Sequence, residues 1–421
     1  MSPAVCLRDV RVRRVPRVRI VLLVLALSAC SFTHSTVPPK AQPAATTPVA
    51  TTAAVAPVTT KPVVAAPSPT RATAPPTFTA PAPRSDTGRL TLVQTIRGAI
   101  SPKSVTASGH GVIFAQNMMY RHSITMYASD GHLVATIPDS VTLSAFGVQG
   151  HPGVSRGAPV EAAFSKDGKY AYVSNYSMYG AGFGPEGHDK CTPASAARLG
   201  VSPSFVYRVD VAHRRIDKVI QVDVVPKYVA VSPDGKRLLV TNWCSYTLDV
   251  IDLKAWKVLK EIPVGAYPRG IAVSPDSRTA YIAVMGSTHL AVVDLTRYAV
   301  TATVTVGVSP RHVVISPDGH YVYATLNAGG GVVKVDTRTL QVAARAATGT
   351  EPRSMAISHD GRSLYVVNYR SSTVTKVRAD DLTVLQRLST GKNPIGISDD
   401  PVTGNVWVAV YTGQILVFQD R

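Results

Sequence analysis

From about residue 89 to the C-terminus, short apolar runs alternate with short polar ones. "RGIAVS" (Arg269–Ser274) is followed by the polar "PDSR", then "TAYIAV", a short gap, "HLAVVDL", a turn, and "AVTATVTV". The runs are rich in β-branched residues and each has the length of one strand. Asp, Gly, Pro and Ser bound them, which predicts antiparallel strands joined by tight turns. No stretch carries an apolar repeat at helical spacing, and no helix is predicted.

The alternation itself recurs. Pro226, Pro268, Pro310, Pro352 and Pro394 stand 42 residues apart, and Ser232, Ser274, Ser316 and Ser358 keep the same step. So do Asp234, Asp276, Asp318 and Asp360 in the turns, and Asp210, Asp252, Asp294 and Asp336 further along the unit. Four strands in such a unit make one blade of a propeller. Five blades begin at these prolines, and two earlier ones begin at Pro102 and Pro159. The last unit offers only three strands, "IGISDD", "NVWVAV" and "QILVFQD"; "LTLVQTI" (Leu90–Ile96) supplies the fourth from the other end. The prediction is an all-β fold, a seven-bladed β-propeller of four-stranded antiparallel blades over 89–421. Its ring is closed by the N-terminal strand, which removes an exposed sheet edge.

"YVSN" (Tyr172–Asn175), "LVTN" (Leu239–Asn242) and "YVVN" (Tyr365–Asn368) each follow an S-x-D-G turn. They resemble the YVTN-type repeat of the YncE-like propellers. That resemblance implies an exported or surface-displayed protein with a binding role, DNA included among the ligands. More distantly it implies kinship with lactonase-type propellers and with propeller domains of periplasmic redox enzymes. A propeller is a frame for many sites, so the activity has to be read from the site.

The N-terminus changes the setting. Six arginines between Arg8 and Arg19 precede the apolar run "IVLLVLALSA" (Ile20–Ala29), too short to span a bilayer and typical of a secretory signal. Leu27-Ser28-Ala29-Cys30 resembles the bacterial lipobox, so 1–29 is expected to be a lipoprotein signal peptide, with Cys30 lipidated and the protein held extracytoplasmic at the cell membrane. Residues 30–88 are rich in Pro, Ala and Thr and too poor in large apolar groups to fold. They are expected to be a disordered stalk. Of the formal charge of +18, the leader contributes +5 and the stalk +3, which leaves +10 on 89–421. A basic surface in the envelope favours an anionic polymer (cell-wall polymer, polysaccharide or single-stranded nucleic acid) or an envelope protein as partner. A monomer is expected, with no cofactor and no metal.

Candidate chemistry collects on one face. About 15 extra residues fall in the loop entering the second blade and about 25 follow Asn175, both on the face where the innermost strands begin. Cys191 in the longer insertion and Cys244 in the corresponding loop of the next blade predict a disulfide outside the cytoplasm. The residue after each blade proline is basic in five of seven blades, Lys103, Lys227, Arg269, Arg311 and Arg353, with Val160 and Ile395 at the other two. Such a ring at the channel mouth is a candidate anion site. One position further on stand Ser104, Glu161, Tyr228, Gly270, His312, Ser354 and Gly396. Glu161 and His312 form a candidate acid–base pair for a lactonase-like hydrolysis, the alternative to a binding role. "GVSRG" (Gly153–Gly157) has the spacing of a nucleophile elbow without its strand–turn–helix context. His188 and Asp189 make a weak metal pair. The S-x-D-G turns are assigned to the opposite face and a purely structural role.

Overall fold

The computed structural model describes residues 84–421, so the expected signal peptide, Cys30 and the stalk up to residue 83 lie outside the described residues. Seven antiparallel sheets follow one another around a ring. The innermost strands of blades one to seven are Ser104–Ala107, Ser155–Phe164, Pro226–Val231, Pro268–Val273, Pro310–Ile315, Pro352–Ile357 and Pro394–Asp400. Each runs from a loop face, where the blade prolines stand, to a turn face carrying the S-x-D-G turns. In those turns, and in the Ser-Pro-Asp-Ser turn of blade four, Ser232, Ser274, Ser316 and Ser358 donate through Oγ to the Asp two residues on, and the same carboxylate accepts the backbone N–H two residues further, as at Lys236 and Arg278. This local bonding is why the motif can repeat without help from distant residues.

The N-terminal strand closes the ring as expected. Leu90–Arg97 pairs with Gln414–Asp420, Leu90 opposite Asp420 and Arg97 opposite Gln414. Lys376, fully buried, bonds both the Asp420 carboxylate and the Gly88 carbonyl. Just ahead of that strand, Ser85 bonds the Asp360 carboxylate through its N–H and its hydroxyl, so the fold takes hold four residues before the expected boundary.

Blades pack on their neighbours through apolar side chains that alternate with outward polar ones. Leu239, Leu248 and Val250 of blade three meet Ile271, Ile282 and Ala291 of blade four, all nearly inaccessible. Burying each large aliphatic contributes roughly 1.5–3 kcal/mol, and seven such seams hold the ring.

Blade two departs from the prediction. A two-residue strand, Ser140–Val141, adds a fifth member to its sheet, and the long insertion contains a helix, Pro193–Leu199. The helix starts on a capping box in which the Thr192 side chain and Ser195 serve each other's backbone, with proline at the first turn. Its apolar face is a single buried alanine, Ala196, too little to give a readable period.

Blade two also buries Asp139 completely, and neither carboxylate oxygen has a hydrogen-bond partner. Burial pushes its carboxyl up to about 8, and burial likewise lifts Asp249 to about 7. Folded-state values above the unfolded carboxylate range give stability that is fully present below about pH 4 and is lost as pH rises through 7 and 8. The melting temperature should therefore fall between pH 6 and pH 8. Asp139→Asn should flatten that fall and gain about 1–2 kcal/mol at pH 8. Calorimetry across that range checks it; an unchanged slope in the variant would place the proton elsewhere.

Candidate functional site

The loop entering each innermost strand is bent at a fixed point. Val225, Tyr267, Ser309, Glu351 and Asn393, each just before a blade proline, lie in the left-handed region with φ between 52 and 64°. Their carbonyls accept the N–H of Trp243, Met285, Asn327, Tyr369 and Tyr411, the residues that follow the second strand of the same blades. A β-branched or bulky residue with such a φ is strained, and the repeated bond is what holds it. The bend turns the residue after the proline towards the axis.

The basic ring is therefore internal. Lys103, Lys227, Arg269 and Arg311 are 9, 6, 5 and 7% exposed. Glu161 Oε1 lies 3.8 Å from both Lys103 Nζ and Arg269, and Asp189 lies 3.7 Å from Lys227 Nζ. Arg311 has no carboxylate within 4 Å among the described residues and donates to the Arg353 carbonyl. Four buried cations thus face one partly buried carboxylate, Glu161, and one exposed carboxylate, Asp189. Burial, with the charge of Arg269 next, holds the Lys103 and Lys227 ammonium groups well below the usual lysine range. Burial first, then Arg269 and Arg353, does the same to Arg311. Arg353 is the exception. It is half-buried, pairs with Glu351 at 3.1 Å and stacks 3.5 Å over Tyr369, so it belongs to the rim. Val160 and Ile395 fill the two apolar positions.

The loop-face mouth expected to present this ring is covered by the long insertion. Tyr176 donates to the Gly187 carbonyl at 2.8 Å and the Trp243 indole to the Asp189 carbonyl at 3.2 Å. The Cys191–Cys244 disulfide, with Cα atoms 5.3 Å apart, fixes the insertion to blade three. Lys227 Nζ sits 4.1 Å from the Tyr176 ring centre and 5.0 Å from that of Trp243, its charge against two aromatic faces.

The opening lies on the other side. A cavity of about 480 Å³ occupies the channel, with Ser104, Glu161, Tyr228, His312 and Ser354 at its inner end. Ser108, Pro317, His359 and Asp399 form its mouth on the turn face, which sequence reasoning had given a structural role only. Asp399 there is lifted by burial to about 6, against the pull of His359. The positions two after the proline have separate duties. Gly270 and Gly396 are packing positions, where a Cβ would come within 2.8 Å of the His312 Cα and 2.7 Å of the Ser104 Cα.

Glu161 and His312 do share one cavity. His312 has Tyr228 Oη 3.5 Å from Nε2 and Ser354 Oγ 3.3 Å from Nδ1. Burial, then Arg311, Arg269 and Lys103, push its imidazole down to about 3. It is uncharged at neutral pH and a weak base, poorly matched to acid–base hydrolysis. Ser155 of "GVSRG" is a fully buried strand residue with no helix after it. Asp189 turns to Lys227 and His188 accepts from Lys190, so that pair does not converge. Among the described residues no group of three or more His, Cys, Asp or Glu side chains could hold a metal ion.

Sequence reasoning missed a second ring. Trp243, Met285, Asn327, Tyr369 and Tyr411 keep the 42-residue step, and Met118 and Tyr176 hold the matching places after Asn117 and Asn175. Six of these seven are aromatic or Met, a collar just above the cations. The step was visible in the sequence; the stacking of Lys227 and Arg353 on the collar was not.

Comparison with known proteins gives the fold a second footing. The family model of the cytochrome D1 heme domain matches residues 281–413. Among solved structures, Kuenenia stuttgartiensis hydrazine synthase aligns with a TM-score of 0.60 at 20% identity, over 77% of this chain and 97% of that one. At that identity the likeness is one of fold. No curated protein matches the chain. The matched span includes Arg311, His312 and Arg353 but not Lys103, Glu161, Lys227 or Arg269. A haem iron needs an axial nitrogen, sulfur or phenolate. Both nitrogens of His312 are within hydrogen-bonding distance of hydroxyls, and His359 at the mouth leans on Asp399 at 3.6 Å. His312 therefore offers no free axial nitrogen, and Nδ1 of His359 is turned to Asp399.

Proposed function

We propose that this protein is a binding propeller rather than an enzyme: a lipid-anchored, YVTN-type domain outside the cytoplasm that holds an anionic group in its central channel. One observation carries the reading. Lys103, Lys227, Arg269 and Arg311 are buried together, four basic groups against the two carboxylates Glu161 and Asp189. Buried charge without a partner is costly, and a fold that keeps such a surplus is poised to take up an anion. The weak basicity of His312 favours binding over hydrolysis.

The test is calorimetric binding of inorganic phosphate to the wild type and to Arg311→Gln across a salt series. The wild type should bind, and the variant should lose about 10- to 100-fold in affinity, since removing one member of a buried charge contact costs a few kcal/mol. Because the site is internal, binding should weaken only modestly with salt. Equal binding by wild type and variant, or no binding by either, would remove the reading.

A further inference from the structure

We propose that the channel selects a small molecule bearing a compact dianion, of the phosphate-monoester kind, which enters from the turn face, and that Glu161 is a built-in competitor setting how tightly it is held. This rests on the anion-binding reading above and specifies its ligand and its route.

The route follows from what each face offers. On the loop face the insertion is bonded to Trp243 and Tyr176, fastened by the disulfide, and sets the Asp189 carboxylate beside Lys227. The turn-face cavity is open and reaches inward to Glu161, the same carboxylate that touches Lys103 and Arg269. A polymer laid across the loop face would meet the collar and the insertion. A small solute entering the cavity meets Glu161; the four cations do not line the cavity themselves, and Lys103 and Arg269 are reached past that carboxylate, 3.8 Å from it.

The charge of the ligand follows from the count. With all four cations protonated, they exceed the two nearby carboxylates by two charges, and uptake of an anion favours that protonated state. A dianion balances the site and a monoanion leaves it positive. Arg269 and Arg311 can fork onto phosphoryl oxygens while the lysines act as point charges. The body of the ligand would lie in about 480 Å³ lined by the Ser104, Tyr228 and Ser354 hydroxyls and the neutral His312 ring. Those are hydrogen-bonding groups without charge, suited to a hydroxylated body.

Glu161 is then the carboxylate that occupies part of the anion's place when no ligand is present. Glu161→Gln keeps the size of the side chain and removes its charge, so it should tighten phosphate binding roughly tenfold. A residue that received a ligand hydrogen or served as a catalytic base would show the opposite sign.

The experiment uses the full chain and three probes: inorganic phosphate, acetate, and a long polyphosphate. The wild type should bind phosphate at least tenfold more tightly than acetate, and polyphosphate no more tightly per chain end than phosphate. Glu161→Gln should gain affinity for phosphate. Ala107→Phe and Val314→Phe, which narrow the cavity on the turn-face side, should each slow or abolish phosphate uptake; their melting temperatures without ligand show whether they fold. Weaker binding by Glu161→Gln, tighter binding of polyphosphate than of phosphate, or unchanged uptake in both folded cavity variants would overturn the proposal while leaving an anion site in place. Failure of every anion to bind would instead remove the anion-binding reading itself.

Discussion

The double variant Lys103→Met/Lys227→Met should be more stable than the wild type in dilute, phosphate-free buffer, by about 2–4 kcal/mol. Methionine follows the length of lysine closely enough to refill the space. At position 227 it would keep contact with the Tyr176 and Trp243 rings, where a thioether is well received. What is lost is charge. Arg269 and Arg311 would then face Glu161 and Asp189 in balance, and two ammonium groups that burial holds well below their usual range would no longer need desolvating. The wild type should recover the difference as phosphate is added. A site hundredfold above its dissociation constant gains about 2.7 kcal/mol, and the double variant, with its surplus gone, should respond little. Urea unfolding at several phosphate concentrations reads both effects at once. A double variant less stable than the wild type at every phosphate concentration would falsify the view that these cations await an external anion; they would then be held by the fold's own groups.

Such a trade of stability for binding explains why the ring was only half legible in the sequence. The step of 42 residues places Lys227, Arg269, Arg311 and Arg353 at equivalent points of a repeat, Lys103 holds the same place after Pro102, and all five are thereby set close to the axis. It also yields the blades, their closure by Leu90–Ile96 and the two faces, because each of these depends on local turn chemistry and strand length. What the repeat does not carry is anything set by the non-repeating segments. The insertion after Asn175 covers the loop-face mouth through Asp189 and the Cys191–Cys244 bond, and this turns a presumed surface ring into a buried one. Arg353 was grouped with the ring by spacing, yet Glu351, two residues before it, draws its guanidinium to the rim. The cavity's opening on the turn face follows from side-chain sizes at Ala107, Ala162, Ala356 and Gly396, small residues that read individually as ordinary strand positions. Glu161 and His312 were placed in one cavity correctly. Their chemistry was not legible, since the depressed basicity of His312 arises from burial, from the adjacent Arg311, and from Arg269 and Lys103 of two other blades.

Removing the disulfide should have the other large effect. Cys191→Ala/Cys244→Ala opens a link across a sequence separation of 53 residues. In the chain-entropy description this destabilises the fold by about 4 kcal/mol. The two cysteines are fully buried among Val160, Tyr176, Ala196 and Trp243, so lost packing adds to the loss. The consequence for the site is as specific as that for stability. The insertion brings Asp189 to Lys227 and closes the loop-face side of the channel, and without the link its opening should become a local event that precedes global unfolding. Proteolysis at native conditions should then cut between residues 180 and 203 in the variant well before the rest of the ring, whereas the wild type resists there. Once the mouth is open, long polyanions that the wild type excludes should reach Lys227 and Arg269 from above, and the preference for small anions should fade. If the variant lost stability but kept both its protease resistance and its preference, the apolar seat of Ala196 and Val201 against Trp243 would be what closes the channel. The bond would then act only by restricting the unfolded chain.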